Sequence, residues 1–89
     1  MTRTVRIGSV AGLHARSAAR VAAAAASLPE RATVRMGDRV VPADSVLGLL
    51  SLAATYGTEL ILVADGAGAA ETLAILAGLL ADDLDAARA

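Results

Sequence analysis

The order of strand and helix patterns along the chain constrains its fold more than any other feature of the sequence. Four segments suit β-strands, because apolar residues alternate with polar ones or run together over a short stretch: 2–7, 32–36, 39–41 and 59–64. Three segments suit helices, because they are rich in alanine or leucine: 15–28, 46–54 and 70–85. The order β-α-β-β-α-β-α predicts an α+β fold of two layers, with the helices on one side of a sheet.

The helix patterns also predict which side chains form the core. In the first helix the inward stripe consists of Ala18, Val21, Ala22, Ala25 and Leu28. In the last helix it consists of Leu73, Leu76, Leu80 and Leu84. Alanine accounts for 23 of the 89 residues and Tyr56 is the only aromatic residue, so we expect helices packed closely through small side chains.

Length and composition argue against several classes of protein. A chain of 89 residues predicts one domain over residues 1–89. Eight basic and nine acidic residues give a net charge of -1, which argues against nucleic-acid binding. The absence of cysteine excludes disulfides and thiol catalysis, and a single histidine argues against a metal site. No stretch is long and apolar enough for membrane insertion or a signal peptide, so we expect a cytoplasmic protein.

The only histidine, His14, lies where a glycine-containing loop meets the first predicted helix. The unpaired N–H groups of Ala15, Arg16 and Ser17 in the first turn should converge near its ring and form an anion site suited to phosphate. The positive end of the helix dipole disfavours the imidazolium form, so a neutral ring nitrogen would be available to attack. The alternative is a partial helix cap or a solvated surface residue.

Arg16 and Arg20 are one helical turn apart, so two cations share a face of the first helix. This proximity is unfavourable by a few tenths of a kcal/mol unless an anion lies nearby. Arginine can hold phosphate through a planar fork of donors. A neutral histidine, a helix N-terminus and an arginine within two residues are together what a phosphohistidine needs.

Three blocks of sequence carry a resemblance to a known family. Residues 12–16 read GLHAR, residues 45–52 read SVLGLLSL, and residues 57–59 and 64–66 read GTE and ADG. In this order they resemble the active-site motif, the regulatory-serine helix and the third block of the HPr family of phosphocarrier proteins from the bacterial phosphoenolpyruvate:sugar phosphotransferase system. The spacings between the blocks also match, so the resemblance covers nearly the whole chain.

The resemblance implies a fold and a function. The fold would be an open-faced β-sandwich, with an antiparallel sheet in the order 1-4-2-3 and three helices over one face. His14 would accept a phosphoryl group at Nδ1 from phosphorylated Enzyme I and pass it to the IIA domain of a sugar permease. Arg16 would screen the phosphoryl charge, and no cofactor is implied. The protein would act as a monomeric carrier without turnover of its own.

The resemblance also implies a docking surface and a regulatory position. Val46, Leu47 and Leu50 resemble the family's apolar docking patch, with Arg20 as a nearby cation, although some of these residues could simply be core. Ser45 is at a predicted helix N-cap, which by itself explains a serine there. In a subset of the family the matching serine is phosphorylated, so a serine kinase and a transcriptional regulator are further candidate partners.

The chain departs from the family at Ser17, where proline is usual. Serine restores an N–H in the first turn and adds a hydroxyl that could bind the phosphate or compete with it; a neutral substitution is the alternative. Three other functions stay open: a nitrogen-regulatory branch, phosphorylation of a dihydroxyacetone kinase, and a binding module that has lost transfer. A free-standing hydrolase is least favoured, because no carboxylate pair, Ser–His–acid set or P-loop pattern is present.

Overall fold

The strands and helices follow one another in the predicted order. The computed structural model describes residues 1–82. The strands are β1 (Thr2–Arg6), β2 (Ala32–Met36), β3 (Arg39–Pro42) and β4 (Glu59–Ala64). The helices are α1 (Ala15–Ser27), α2 (Val46–Ser51) and α3 (Ala69–Ala81). Among these residues no helix combines the length and apolar character needed to cross a membrane.

The four strands form one antiparallel sheet in the order β1-β4-β2-β3. Alternate residues along the strands face the helices, and a buried row crosses the whole sheet: Val5, Leu60, Leu62, Val34 and Val41. α3 packs on β1 and β4, while α1 packs beside both α3 and α2. The opposite face carries exposed and half-buried side chains such as Arg35, Val40 and Ile61. The two-layer, open-faced sandwich with sheet order 1-4-2-3 is therefore confirmed.

α1 buries the small side chains that its sequence pattern predicts. Ala18, Val21, Ala22 and Ala25 are all buried, and Ser17 joins them at the start of the helix. Leu28, which we expected in the same stripe, is the C-cap residue and is only half-buried. Alanine side chains allow α1 to approach its neighbours closely, because little volume separates the backbones.

α2 is shorter than its sequence pattern predicts. The prediction of a helix over residues 46–54 is wrong at its C-terminal end, since the helix ends at Ser51 with Leu52 as its cap. Ala53 then adopts a φ of 53°, a left-handed conformation that cannot continue a right-handed helix. Leu52 and Ala54, which prompted the longer prediction, are buried although they lie outside the helix.

Three other boundaries differ from their predicted positions by one residue. Pro42 is the last residue of β3, whereas we expected the strand to end one residue earlier. β3 is an edge strand, and an edge strand tolerates proline where the missing N–H would face away from the neighbouring strand. β1 ends at Arg6, one residue earlier than predicted. α3 begins at Ala69, one residue earlier than predicted. The prediction that this helix continues to Asp85 is wrong, since α3 ends at Ala81 with Asp82 as its extended C-cap residue. The predicted stripe residue Leu84 lies outside the described residues.

Glu30 caps the N-terminus of α3 from a distant part of the chain. The N-cap residue of α3 is Gly68, which offers no side chain to accept the first N–H groups. The half-buried Glu30 carboxylate accepts the Gly68 N–H at 3.0 Å, and the Glu30 N–H donates to the buried Thr72 hydroxyl at 3.4 Å. A carboxylate at this end of a helix also interacts favourably with the helix dipole. Glu30 thus joins the loop before β2 to α3.

We expect Glu30→Ala to lower the free energy of unfolding by about 1–2 kcal/mol, because it removes the acceptor of the N-cap N–H of α3. Glu71→Ala is the matched control: Glu71 is an exposed acid in the first turn of α3, and its removal should cost less than about 0.5 kcal/mol. Urea denaturation of both variants measures the difference. Equal losses would contradict the capping role.

Candidate functional site

The loop before His14 is held against the segment that follows α2. Leu13 donates its N–H to the Ala54 carbonyl at 2.9 Å. Gly12 has a φ of 78°, and a Cβ atom built on it would lie 2.7 Å from the same carbonyl oxygen. Glycine is therefore required here both by conformation and by space. These contacts determine where α1 begins relative to α2.

The other end of the loop contacts the C-terminal turn of α3. Gly8 donates its N–H to the Leu80 carbonyl at 3.0 Å, and a Cβ atom on Gly8 would collide with the Ala81 carbonyl oxygen. Ser9 is buried in this contact. The loop is thus held between two helices, and His14 follows directly from it.

His14 is the N-cap residue of α1, with extended backbone and a half-buried side chain. Its Nδ1 atom accepts the N–H of Arg16 at 3.2 Å, and the N–H of Ser17 also donates to its side chain. An accepting Nδ1 carries no proton, so the proton of the neutral ring is on Nε2. The lone pair of Nδ1 therefore lies at the positive end of the helix, among the N–H groups that we expected to converge there.

Ser17 completes a reciprocal cap with His14. The Ser17 hydroxyl oxygen accepts the His14 N–H at 3.1 Å and donates its hydrogen to the His14 carbonyl at 3.2 Å. From the sequence we expected Ser17 to bind phosphate, and this contact with His14 was not predicted. The signal that could have revealed it is the spacing of three residues between an N-cap residue and a polar side chain.

The two arginines of α1 are both exposed, as is Ala15 at the first helical position. The first turn of α1 contains no acidic residue, so nothing within that turn offsets its positive end. Arg16 and Arg20 are one turn apart, as expected from their spacing. The first two turns of α1 therefore carry two exposed arginines close in sequence to the N–H groups that face His14.

The apolar residues predicted for docking lie on α2, and the predicted regulatory serine is its N-cap residue, whereas Arg20 lies on α1. Leu47 is 82% exposed, whereas Val46 and Leu50 are half-buried and pack partly against the core. Ser45 is the N-cap residue, and its hydroxyl oxygen accepts the Gly48 N–H at 2.9 Å. The apolar surface on α2 is thus mainly Leu47, with the other two side chains at its margin.

Two exposed apolar side chains were missed by the sequence analysis. Val10 is 75% exposed in the loop before His14, and Tyr56 is 64% exposed in the loop after α2. These two loops are joined by the hydrogen bond between Leu13 and Ala54. No periodic pattern marks a residue in such a loop as exposed, so only the folded chain reveals them. Within residues 1–82 no group of three histidine or acidic side chains could hold a metal ion.

Comparisons with known proteins agree with one another. The family model described as the PTS HPr component phosphorylation site matches residues 1–82. Phosphocarrier protein HPr of Streptomyces coelicolor is 38% identical over 84 residues, which cover 93% of this chain and 90% of that protein. Phosphocarrier protein NPr of Shewanella violacea is 33% identical, with coverage of 98% and 96%. The crystal structure of an HPr from Bacillus anthracis superposes with a TM-score of 0.85 at 28% identity, covering 90% of this chain and 95% of that one.

We expect Gly12→Ala to destabilise the fold by at least about 1 kcal/mol more than Gly57→Ala. The two glycines have nearly equal φ values of 78° and 81°, but only Gly12 lies against backbone atoms. The control therefore removes the cost of the left-handed conformation from the comparison. Denaturation midpoints, together with hydrogen exchange of the Leu13 amide, measure the effect. Equal destabilisation and a protected Leu13 amide in Gly12→Ala would show that the close approach to Ala54 is unimportant.

Proposed function

This chain belongs to the HPr family of phosphotransferase-system phosphocarrier proteins, and from that premise we propose that it carries a phosphoryl group on Nδ1 of His14. The observation that carries the proposal is the orientation of the ring, whose Nδ1 lone pair faces the N–H of Arg16 at 3.2 Å. The ring is only half-buried, so a partner can reach it. Helix capping accounts for the same orientation, so it is membership of a phosphocarrier family that favours a phosphoryl carrier over a simple cap.

The transfer exchanges one bond to phosphorus for another. The Nδ1 lone pair forms the new bond in line with the bond between phosphorus and the donor atom of phosphorylated Enzyme I. That older bond breaks, and its electron pair stays with the donor atom. In the second step Nδ1 is the leaving atom, its electron pair returns to the ring, and the acceptor on a IIA domain forms the bond.

The backbone N–H groups at the start of α1 can change their hydrogen-bond acceptor during this exchange. In the free protein the Arg16 N–H donates to Nδ1 over 3.2 Å, at the long end of the range for a hydrogen bond. When Nδ1 bonds to phosphorus, this N–H can donate to a phosphoryl oxygen, as the N–H groups of Ala15 and Ser17 can. The positive end of α1 then faces the added negative charge.

The exposed position of the site suits a carrier that must also release the group. The Arg16 guanidinium is exposed, so its attraction to the phosphoryl charge is weakened by water and salt. A buried double-arginine clamp would hold the phosphate more firmly and slow the second transfer. We therefore assign Arg16 the role of screening charge as the phosphoryl group arrives and leaves.

We propose that Enzyme I and IIA domains dock through Leu47, Val46 and Leu50, with Arg20 at the rim. A small exposed apolar area suits brief contacts that release quickly. We further propose a monomer located in the cytoplasm, as expected of a protein that shuttles between these partners. Ser45 remains a candidate for phosphorylation by a serine kinase, which would place negative charge beside Leu47 and could bring a transcriptional regulator to this surface.

A second branch of the same chemistry has specific support. The similarity to NPr is only slightly lower than the similarity to HPr, so a nitrogen-regulatory acceptor is the alternative to a sugar permease. Phosphorylation of a dihydroxyacetone kinase is a further alternative. The match to a phosphorylation-site family model and to named phosphocarriers supports each of these over a binding module that has lost transfer.

We expect Enzyme I and phosphoenolpyruvate to convert the protein to a phosphoprotein whose label is lost in acid and retained in base. His14→Ala should abolish this label, because no other imidazole is present. Ser45→Ala is the control and should keep it, since a phosphoserine would be stable in acid. Intact-protein mass spectrometry with circular dichroism measures labelling and folding together. A label that persists in folded His14→Ala, or a wild-type protein that is never labelled by its cognate Enzyme I, would reject the proposal.

We expect Leu47→Ser to raise the KM for phosphorylation by Enzyme I about fivefold, as the loss of one exposed contact in a small interface would do. The value of kcat should stay within about twofold, because the apolar Leu47 side chain offers no charge or hydrogen bond to the transfer itself. Val40→Ser is the matched control: Val40 is 58% exposed on the open face of the sheet, away from α2. Equal KM values for the two variants would place docking elsewhere.

A further inference from the structure

We propose that the Ser17 hydroxyl positions the His14 imidazole for phosphoryl transfer by holding the His14 backbone on both sides, an inference that rests on the proposed function. The Ser17 hydroxyl is a positioning group in this scheme, because it acts through His14 and does not touch the phosphoryl group; only the backbone N–H of Ser17 is a donor to phosphate. The proposal thereby replaces the expectation that its hydroxyl binds phosphate.

The geometry of the two residues carries the inference. The Ser17 oxygen accepts the His14 N–H at 3.1 Å and donates its hydrogen to the His14 carbonyl at 3.2 Å. Both bonds reach the same residue, one on each side of its Cα atom. The Ser17 side chain is buried, with only 5% of the residue exposed, so water competes little for either bond.

The hydroxyl is unsuited to a direct role with phosphate. A serine hydroxyl has one hydrogen, and here that hydrogen is donated to the His14 carbonyl. A phosphoryl oxygen accepts hydrogen bonds, so it would have to displace the carbonyl from a buried site. The backbone N–H of Ser17 faces the His14 side chain instead. The two polar groups of Ser17 therefore contact different parts of His14: the hydroxyl holds its backbone, and the N–H faces its ring.

The orientation of the ring depends on this backbone contact. Nδ1 meets the Arg16 N–H only while the extended backbone of His14 directs the ring toward the first turn. Without the hydroxyl, the His14 N–H loses its acceptor on Ser17. The ring can then leave the N–H groups, and Nδ1 can carry the proton in part of the population. Misplacement of a reacting atom by a fraction of an ångström is enough to lower a transfer rate severalfold or more.

Four variants separate positioning from general stability. Ser17→Ala removes both bonds, and Ser17→Thr keeps the hydroxyl on the same Cβ atom. Ser17→Cys fills the space with a weak hydrogen-bonding group and replaces the alanine variant if that protein does not fold. Ser27→Ala is the matched control, because Ser27 is an exposed serine of the same helix whose hydroxyl donates to the Ala24 carbonyl at 3.0 Å.

Two measurements are made on each folded variant. Nitrogen-15 NMR of the His14 ring reports whether Nδ1 or Nε2 carries the proton and needs no partner protein. Steady-state phosphorylation by Enzyme I gives kcat and KM. In Ser17→Ala, or in its cysteine replacement, we expect a mixture of ring tautomers, a fall of about tenfold in kcat and a KM within about twofold. Ser17→Thr should restore both properties, and Ser27→Ala should change neither.

The possible results distinguish failure of the positioning role from failure of the proposed function. A wild-type ring signature in the variants without the hydroxyl, an unchanged kcat, or the same changes in Ser27→Ala would each overturn the positioning role. Failure of Ser17→Thr to restore the tautomer would overturn it as well. If the wild-type protein is never phosphorylated, the proposed function fails, whereas the ring signature still decides whether Ser17 orients His14.

Discussion

The start of α1 at His14 is the constraint on which the rest of this molecule depends. His14 and Ser17 exchange hydrogen bonds, and the loop before them is bound to Ala54 on one side and to Leu80 on the other. The same bonds that end the loop and begin the helix also direct Nδ1 toward the Arg16 N–H. The start of α1 and the orientation of Nδ1 therefore rest on the same group of contacts around His14.

In the function proposed for His14, the site balances attraction against release. A helix N-terminus without an acid in its first turn would attract the phosphoryl group, and two exposed arginines add positive charge in a solvent where it is screened. The N–H groups that hold Nδ1 in the free protein would then donate to the phosphoryl oxygens. A carrier needs this intermediate strength, because the group must remain between two partners and then leave.

Much of the fold was predictable because local patterns determine local structure. Period-two alternation located β1 and β2 closely, and the alanine run located α1, since both patterns act over neighbouring residues. The end of α2 was mispredicted because Ala53 adopts a left-handed conformation, which an alanine in an apolar segment does not indicate. At the site, the placement of His14 at a helix start was predictable from Gly12 and the helix pattern. The buried bonds of Ser17 were not, because a first-turn serine can face solvent, phosphate or its own cap.

The amino-acid sequence by itself determined the order of the seven elements, the absence of thiol chemistry and the position of its only histidine beside a helix start. These features depend on residue type and on spacings of a few residues. Only the tertiary structure decided which atoms meet across the chain: Glu30 with Gly68 over 38 residues, Leu13 with Ala54, and the exposure of Leu47. The local pattern of a segment does not indicate which distant segment it will contact. Such contacts therefore exist only once the helices have packed on the sheet.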